Sequence, residues 1–96
     1  MIKEVVEVAI DKVGNQYKPH IRIRKEIARV YGGYQKKGLK NWIQSTFPIV
    51  LGTLENNGFT LTTREMWAKN VGYQRLYNNI DEANIVASLY EEVINQ

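Results

Sequence analysis

The side chains that could carry chemistry in this chain are mostly cations and amides, and they gather in two stretches. The first is YQKKGLKN, which holds Lys36, Lys37, Lys40 and Asn41. The second runs over residues 64–78 and contains bases, amides and aromatic rings: Arg64, Trp67, Lys69, Asn70, Tyr73, Gln74, Arg75 and Asn78. Cations bind phosphate oxygens and amides pair with base edges, so these residue types indicate nucleic-acid recognition.

The charge of the chain is distributed unevenly along its length. Residues 14–80 hold eleven bases against three acids, whereas residues 81–96 hold four acids and no base, within a net charge of +3. A basic centre is what a polyanion-binding surface needs, because phosphate neutralisation supplies much of the affinity for nucleic acid. A solvated charged face is the alternative that charge alone leaves open.

Catalytic and metal chemistry find little support in the sequence. The chain has no cysteine, and its one histidine, His20, follows Pro19 in a predicted loop where a solvated or locally hydrogen-bonded ring is expected. Ser45 and Thr46 have no base nearby and are interpreted as helix caps. Glycine-rich phosphate loops are also missing. We therefore predict no enzyme, no cofactor and no metal site.

Length and composition favour one domain over residues 1–96, because 96 residues with 44% apolar content suit a single core. The opening MIKEVVEVAIDKVG mixes charges with apolar residues, unlike a secretory signal, and no later run is long enough to span a bilayer. Without cysteine, an intracellular location fits best. The expectation is a soluble, cytoplasmic protein with no membrane insertion.

Apolar spacing predicts helices at both ends of the chain. Residues 2–13 carry apolar residues at helical intervals, and Gly14 would end that helix. A last helix would begin at Asp81 as its cap. It would bury one stripe made of Ile85, Leu89 and Val93, with Val86, Tyr90 and Ile94 beside that stripe. We predict a homodimer joined through these helices by Val5, Val6, Ile10, Ile85, Leu89 and Val93. The alternative is that the two helices pack on each other.

The central segment is predicted to hold a short strand and three helices. Ile21 and Ile23 alternate with arginines in the strand. The three helices of this segment are predicted in RKEIARVYGG, in YQKKGLKNWIQ and from Thr46 to Asn57. Gly38 weakens the second of them, and Pro48 lies in the first turn of the third.

TREMWAKNVGYQRLYNNID could be a helix over 73–80 or two strands folded back on each other. A three-residue loop, Asn70-Val71-Gly72, favours the hairpin, with strands at about 59–67 and 73–80. Its register would place Lys69 opposite Tyr73, Trp67 opposite Arg75 and Glu65 opposite Tyr77, on one exposed, basic and aromatic face. The Trp67–Arg75 pair could instead be a structural cation–π contact.

The order of these elements resembles the winged helix-turn-helix family, through a LENNGF-like helix end, a hairpin wing and a YQRLYN-like return strand. The resemblance implies an α+β, mostly helical fold that binds duplex DNA, usually as a dimer. The helix in the recognition position departs from it, because Thr46 to Asn57 has no Lys or Arg. We therefore expect a wing-centred footprint in which Arg75, Asn70 and Gln74 reach bases while Lys69 and the Lys36 group contact phosphates.

The resemblance also extends, loosely, to the small winged-helix accessory proteins that bind the transfer origin of conjugative plasmids in Gram-positive bacteria, where other DNA-processing proteins are partners. Winged-helix repressors and partition proteins share the architecture and stay open as alternatives. A module of a different class also stays open, in which Trp67, Tyr73 and Tyr77 dock on a protein.

Overall fold

The computed structural model describes residues 2–61, 66–69 and 76–96, and the side chains of residues 2–60 and 76–96. A short 3-10 helix, Ile2–Glu4, precedes β1 (Val6–Val13) and β2 (Gln16–Ile23). Three helices follow, α1 (Lys25–Tyr31), α2 (Leu39–Thr46) and α3 (Pro48–Asn56), and then β3 (Phe59–Leu61), β4 (Met66–Lys69) and α4 (Ile80–Ile94). The chain is therefore α+β with a C-terminal helix, as predicted.

The predicted first helix is wrong, because residues 6–13 form a strand. β1 pairs with β2 in an antiparallel hairpin from Val6 opposite Ile23 to Val13 opposite Gln16. Its two-residue loop is Gly14–Asn15, with Gly14 at φ 62°. Val6, Val8 and Ile10 also alternate, and β-branched residues fit a pleated sheet better than a helix. Gly-Asn then acts as a hairpin turn rather than as a helix end.

The predicted wing has the wrong strand pairing. The sheet order is β1-β2-β4-β3, and β4 lies between two antiparallel neighbours. The backbone of Trp67 is opposite Ile21 on one side and Leu61 on the other, so Trp67 has no free edge for Arg75. Tyr77 pairs with Tyr17 at the start of β2, and its predicted partner, Glu65, lies outside the described residues. The hairpin that exists joins β3 to β4 within residues 59–69.

The alternative of a helix over 73–80 also fails where the structure describes that segment. The Tyr77 amide donates to the Tyr17 carbonyl at 2.8 Å and the Tyr17 amide donates back at 2.7 Å, which makes Tyr77 extended. Helix α4 begins only at Ile80, and residues 73–75 lie outside the described residues. The cap of α4 is Asn79, whose side chain accepts from the Asp81 amide at 2.7 Å, and not Asp81.

One cluster of buried side chains joins the sheet to the helices. Val6, Ile21 and Ile23 contribute from the β1–β2 hairpin, and α4 packs against both of those strands. The Phe59 ring meets the Tyr90 ring edge-on, with centroids 4.9 Å apart, and so ties β3 to α4. Helices α1 to α3 supply Ala28, Leu39, Ile43, Val50 and Leu54. Helices grouped on an antiparallel sheet are typical of α+β domains.

The boundaries of α2 and α3 differ from the prediction. Helix α2 begins after Gly38, and Ser45 and Thr46 form its last turn instead of capping α3. Only Phe47 separates the two helices, and it precedes Pro48 at the start of α3 without a side-chain cap. Proline suits this place, because the first turn needs no amide hydrogen bond. Within the described ranges, no helix combines the length and apolar character that crossing a bilayer requires.

Candidate nucleic-acid interface

The first predicted group of cations lies in and just after the connection between α1 and α2. We call residues 32–38 the basic loop, since it carries Lys36 and Lys37, both exposed. Lys40, half-buried, and Asn41, exposed, follow in the first turn of α2. No described carboxylate lies within ion-pair distance of these three lysines. Their charge is therefore available to a ligand.

The basic loop is fixed to the rest of the domain by backbone hydrogen bonds at its start. At the end of α1, the amides of Gly32 and Gly33 donate to the Ala28 carbonyl at 3.2 and 2.9 Å. The Lys36 amide then donates to the Gly33 carbonyl at 3.2 Å. These contacts continue the helix end into a turn, so the backbone that carries the lysines has a defined course.

Two tyrosines hold the basic loop from its sides. The Tyr31 hydroxyl donates to the Lys37 carbonyl at 3.0 Å, and the Tyr34 hydroxyl donates to the Ile23 carbonyl at the end of β2. Partial burial raises the pKa of the Tyr34 phenol above its ordinary value of 10.0, so this donor keeps its proton even in moderately alkaline solution. A preorganised loop loses less conformational entropy when it binds a ligand.

An aromatic cluster orients α2 beneath the lysines. The Tyr31 and Trp42 rings lie 5.2 Å apart, and the Phe47 ring meets Trp42 edge-on at 5.6 Å. Edge-on and offset ring pairs of this kind stabilise a packed contact by about 1 kcal/mol beyond the area they bury. The cluster therefore joins the end of α1, the middle of α2 and the start of α3, which sequence reasoning missed.

The amino end of α2 is electrostatically positive. Gly38 stands at the cap position and supplies no side-chain hydrogen bond, and the first turn contains no acid. The Leu39 amide donates to the Lys36 carbonyl at 3.4 Å. The start of a helix nevertheless carries about half a positive charge, which the neighbouring Lys36, Lys37 and Lys40 reinforce. Such a helix start is suited to a phosphate group.

The outward side of α2 presents amides that can hydrogen-bond. Asn41 and Gln44 are exposed and three residues apart, so they share one face of the helix. Gln44 was not among the predicted residues, and its spacing from Asn41 was the available signal. The Ser45 hydroxyl is already engaged, because it donates to the Trp42 carbonyl at 3.2 Å.

The second predicted group is only partly described. Arg64, Asn70, Tyr73, Gln74 and Arg75 lie outside the described residues, and for Trp67 and Lys69 only the backbone in β4 is described. Their predicted contacts with DNA stay predictions.

Asn78 is described, and it lies far from the basic loop. It is exposed, and its side-chain oxygen accepts from Gln16 Nε2 at 3.0 Å, next to the start of β2. The basic loop is tied to Ile23 at the other end of that strand. Seven residue steps of a strand span roughly 23 Å. The structure therefore does not bring Asn78 together with Lys36 and Lys37.

Two arginines of the basic centre are held on the sheet. Glu7 accepts from Arg22 Nε at 2.9 Å and from Arg24 Nη1 at 3.3 Å, and Arg24 Nε also donates to the Lys3 carbonyl at 2.7 Å. These guanidinium groups stabilise the β1–β2 hairpin and the chain start. They are less available to a phosphate than the loop lysines.

His20 lies in β2 and is buried, so the predicted loop position is wrong. Its Nδ1 donates to the Lys18 carbonyl at 3.2 Å, while Nε2 has no described hydrogen-bond partner and stands 3.7 Å from Asp11 Oδ2. Burial lowers the pKa of His20, and this outweighs the Lys18 carbonyl and the Asp11 carboxylate, which raise it. A ring without exposure cannot contact phosphate. The described residues also contain no group of three metal-ligating side chains.

The predicted dimerisation residues do not share one surface. Val6 and Val93 belong to the buried core, and Val5 and Ile10 pack partly against it. Of the six, only Ile85 and Leu89 are exposed, so two of the three residues that the sequence assigned to the buried stripe of α4 face outward, while the third, Val93, is buried. Comparisons with protein-family models, with curated proteins and with solved structures each found no match.

Proposed function

We propose that this chain binds double-stranded DNA through the basic loop and the first two turns of α2. The observation that carries the proposal is the positive start of α2: a helix end without a side-chain cap, with Lys36, Lys37 and Lys40 around it and no acid in its first turn. In this arrangement the lysines contact phosphates and set the position of the helix.

Base recognition is assigned to the outward face of α2. The side-chain amides of Asn41 and Gln44 can each donate and accept at once, which is the pattern that an adenine edge presents in the major groove. Helix α3 is less suited to this role, because it has neither Lys nor Arg. The proposal therefore moves the base-reading residues from the wing to α2, and leaves the β3–β4 hairpin and residues 70–75 as a second contact.

The fold gives partial support to the resemblance that suggested DNA binding. Three helices followed by a β-hairpin are the order that winged helix-turn-helix proteins have. The departures are the β1–β2 hairpin at the start of the chain and the single residue, Phe47, between α2 and α3, where a helix-turn-helix has three or four. We therefore assign DNA binding to α2 and its lysines, and give the family resemblance less weight.

A titration of duplex DNA at several salt concentrations tests the proposal. A fluorescent 20-base-pair duplex would be titrated by anisotropy between 50 and 200 mM salt. The variant Lys36→Gln/Lys37→Gln should bind more weakly at every salt concentration and lower the slope of log affinity against log salt by about 2, one for each phosphate contact. The matched control, Lys3→Gln/Lys12→Gln, removes the same charge from exposed positions outside the interface.

The comparison of the two variants decides whether the basic loop or the net charge of the chain accounts for DNA binding. Equal weakening of both would mean that net charge alone attracts DNA, and the assignment to the basic loop would be wrong. If the native chain fails to bind at 50 mM salt, DNA binding itself is refuted.

For the biological role we propose an accessory DNA-binding factor at a plasmid transfer origin, with transcriptional repression as the alternative. Selection of bound duplexes from a random library separates sequence-specific from architectural binding. Enrichment of a short site that Asn41→Ala/Gln44→Ala no longer prefers would support base reading by α2. Absence of any enriched site would refute sequence specificity.

A further inference from the structure

Helix α4 is apolar on two sides, and one of them lies outside the core. Ala83, Val86, Tyr90, Val93 and Ile94 are buried and face the domain. Ile85 and Leu89, one turn apart, are 63% and 39% exposed. Residues at this spacing lie one above the other on the helix surface. The domain thus fills its core with one stripe of α4 and leaves a second, shorter stripe in water.

Carboxylates bracket this outer stripe along the helix. Glu82 lies three residues before Ile85 and Glu92 three residues after Leu89, which gives the pattern E-x-x-I-x-x-x-L-x-x-E. Residues 81–96 contain no base, and no described base forms an ion pair with these glutamates. Glu92 also stands in the last turn, where a negative charge opposes the helix dipole. Helix stability therefore accounts for Glu82, which lies in the first turn, but not for Glu92.

A second copy of the chain is a poor occupant of this face. Two antiparallel α4 helices that placed Ile85 on Leu89 would also place Glu82 beside the second copy's Glu92, and the reverse, so that like charges meet at both ends. Charge therefore favours a partner of the opposite sign.

We propose that the outer face of α4 binds a basic amphipathic helix of another protein. Apolar residues of that helix pack on Ile85 and Leu89, and its Lys or Arg residues pair with Glu82 and Glu92. The complementary pattern is K-x-x-L-x-x-x-L-x-x-K, which matches the four positions in either direction. Amphipathic helices that dock through apolar anchors at i and i+4 are a common mode of recognition. This site does not depend on the proposed DNA binding.

The test uses the full chain, labelled with 15N, and a synthetic alanine-rich helical peptide that carries this K/L pattern. Titration at low salt should shift the amide resonances of α4 around Ile85 and Leu89, and the affinity should fall as salt is added. A peptide with Glu in place of Lys should not bind. The variant Ile85→Ser/Leu89→Ser should bind the basic peptide at least about tenfold more weakly, as expected when anchor residues are truncated. The control Val30→Ser/Ile49→Ser, which alters two other exposed apolar residues, should bind it normally.

A charge exchange separates specific docking from general attraction of a basic peptide to an acidic helix. Glu82→Lys/Glu92→Lys should lose the Lys peptide and gain the Glu peptide. Shifts spread over other surfaces, equal weakening by the Val30 and Ile49 control, or no binding at all would overturn the proposal. So would a homodimer through α4, which would be recognised by light scattering as a mass that rises with salt, because salt screens the repulsion between carboxylates.

Discussion

The close approach of Gly38 to Tyr31 allows us to predict how much substitutions at these two positions lower the stability of the domain. Gly38 has φ 88°, and a Cβ atom at this position would lie 2.6 Å from the Tyr31 hydroxyl oxygen. The next atom of the ring, Cζ, is 3.7 Å away, which is an ordinary contact. Since that hydroxyl donates to the Lys37 carbonyl, we expect the methyl group of Gly38→Ala to displace it and break the hydrogen bond, whereas Tyr31→Phe removes the oxygen and makes room for the methyl group.

The expected magnitudes follow from these distances. A non-glycine residue in the left-handed region costs about 1–2 kcal/mol, and Gly33→Ala should show only this cost, because φ is 102° there and no atom lies within 4 Å of the added methyl. Gly38→Ala should cost about 1 kcal/mol more, from the lost hydrogen bond. Tyr31→Phe alone should cost about 1 kcal/mol. In the double variant the hydrogen bond is lost once, so the total should be about 1 kcal/mol less than the sum of the single costs.

Urea denaturation of the native chain and the four variants measures these differences. For a domain of this size, 1 kcal/mol corresponds to about 4–8 °C in melting temperature, which gives a second measurement by thermal unfolding. Additive costs in the double variant, within about 0.5 kcal/mol, would refute the steric argument. Equal costs of Gly38→Ala and Gly33→Ala would refute it as well.

Three further predictions concern the core and the buried histidine. Burial holds the pKa of His20 below its ordinary value of 6.5, so the unfolded chain binds the proton more readily than the folded one. The free energy of unfolding should therefore fall as the pH drops below about 6.5. In urea denaturation His20→Gln should show a smaller fall with pH than the native chain, and an equal fall would contradict this account. Phe59→Leu should lower the free energy of unfolding by about 1 kcal/mol or more, because the edge-on contact with Tyr90 is lost. Thermal unfolding can measure this loss, and an unchanged melting temperature would show that the ring pair contributes nothing. Val86→Ser should lower the free energy of unfolding by about 2 kcal/mol or more, and Ile85→Ser by less than about 0.5 kcal/mol, because the first side chain is buried and the second exposed. A larger loss from Ile85→Ser than from Val86→Ser would mean that Ile85 belongs to the core, as the sequence predicted.

The amphipathic periods of β1 and α4 explain why the sequence predicted one element correctly and the other wrongly. In β1, Val6, Ile10 and Val13 fit a helix while Val6, Val8 and Ile10 fit a strand, and glycine at position 14 is compatible with either. Pairing with β2 along its whole length decides for the strand, and pairing between segments is not visible in a local window. Local periodicity therefore predicted a helix, although the same residues also fit a strand.

Helix α4 was predicted as an element, but its buried face was assigned only partly correctly, because Val93 is buried whereas Ile85 and Leu89 are exposed. Two apolar stripes of similar strength run along it, and the period alone cannot say which one meets the sheet. Phe59 from β3 meets Tyr90, which selects the stripe that contains Val86. A residue distant in sequence therefore determines the orientation of the helix.

The lysines of the candidate interface could be recognised from composition, but the contacts that fix them could not. Tyr31 and Tyr34 both donate to backbone carbonyl groups, of Lys37 and Ile23. Every residue has such a carbonyl, so these partnerships have no signature in the sequence. The predicted pairing of Trp67 with Arg75 is wrong for a related reason. β2 pairs with the edge of β4 that β3 leaves open, and a pairing between strands so distant in sequence has no local signature.

The basic loop and the outer face of α4 depend on different contacts of the same domain. The loop is held by Tyr31, by the ring of Trp42 and by the end of β2, whereas α4 is held by its packing on β1 and β2 and by the contact of Tyr90 with Phe59. A surface substitution at one site breaks none of the contacts that hold the other. The two proposed binding activities should therefore be separable by mutation, and the proposed partner on α4 would not compete with DNA for the lysines.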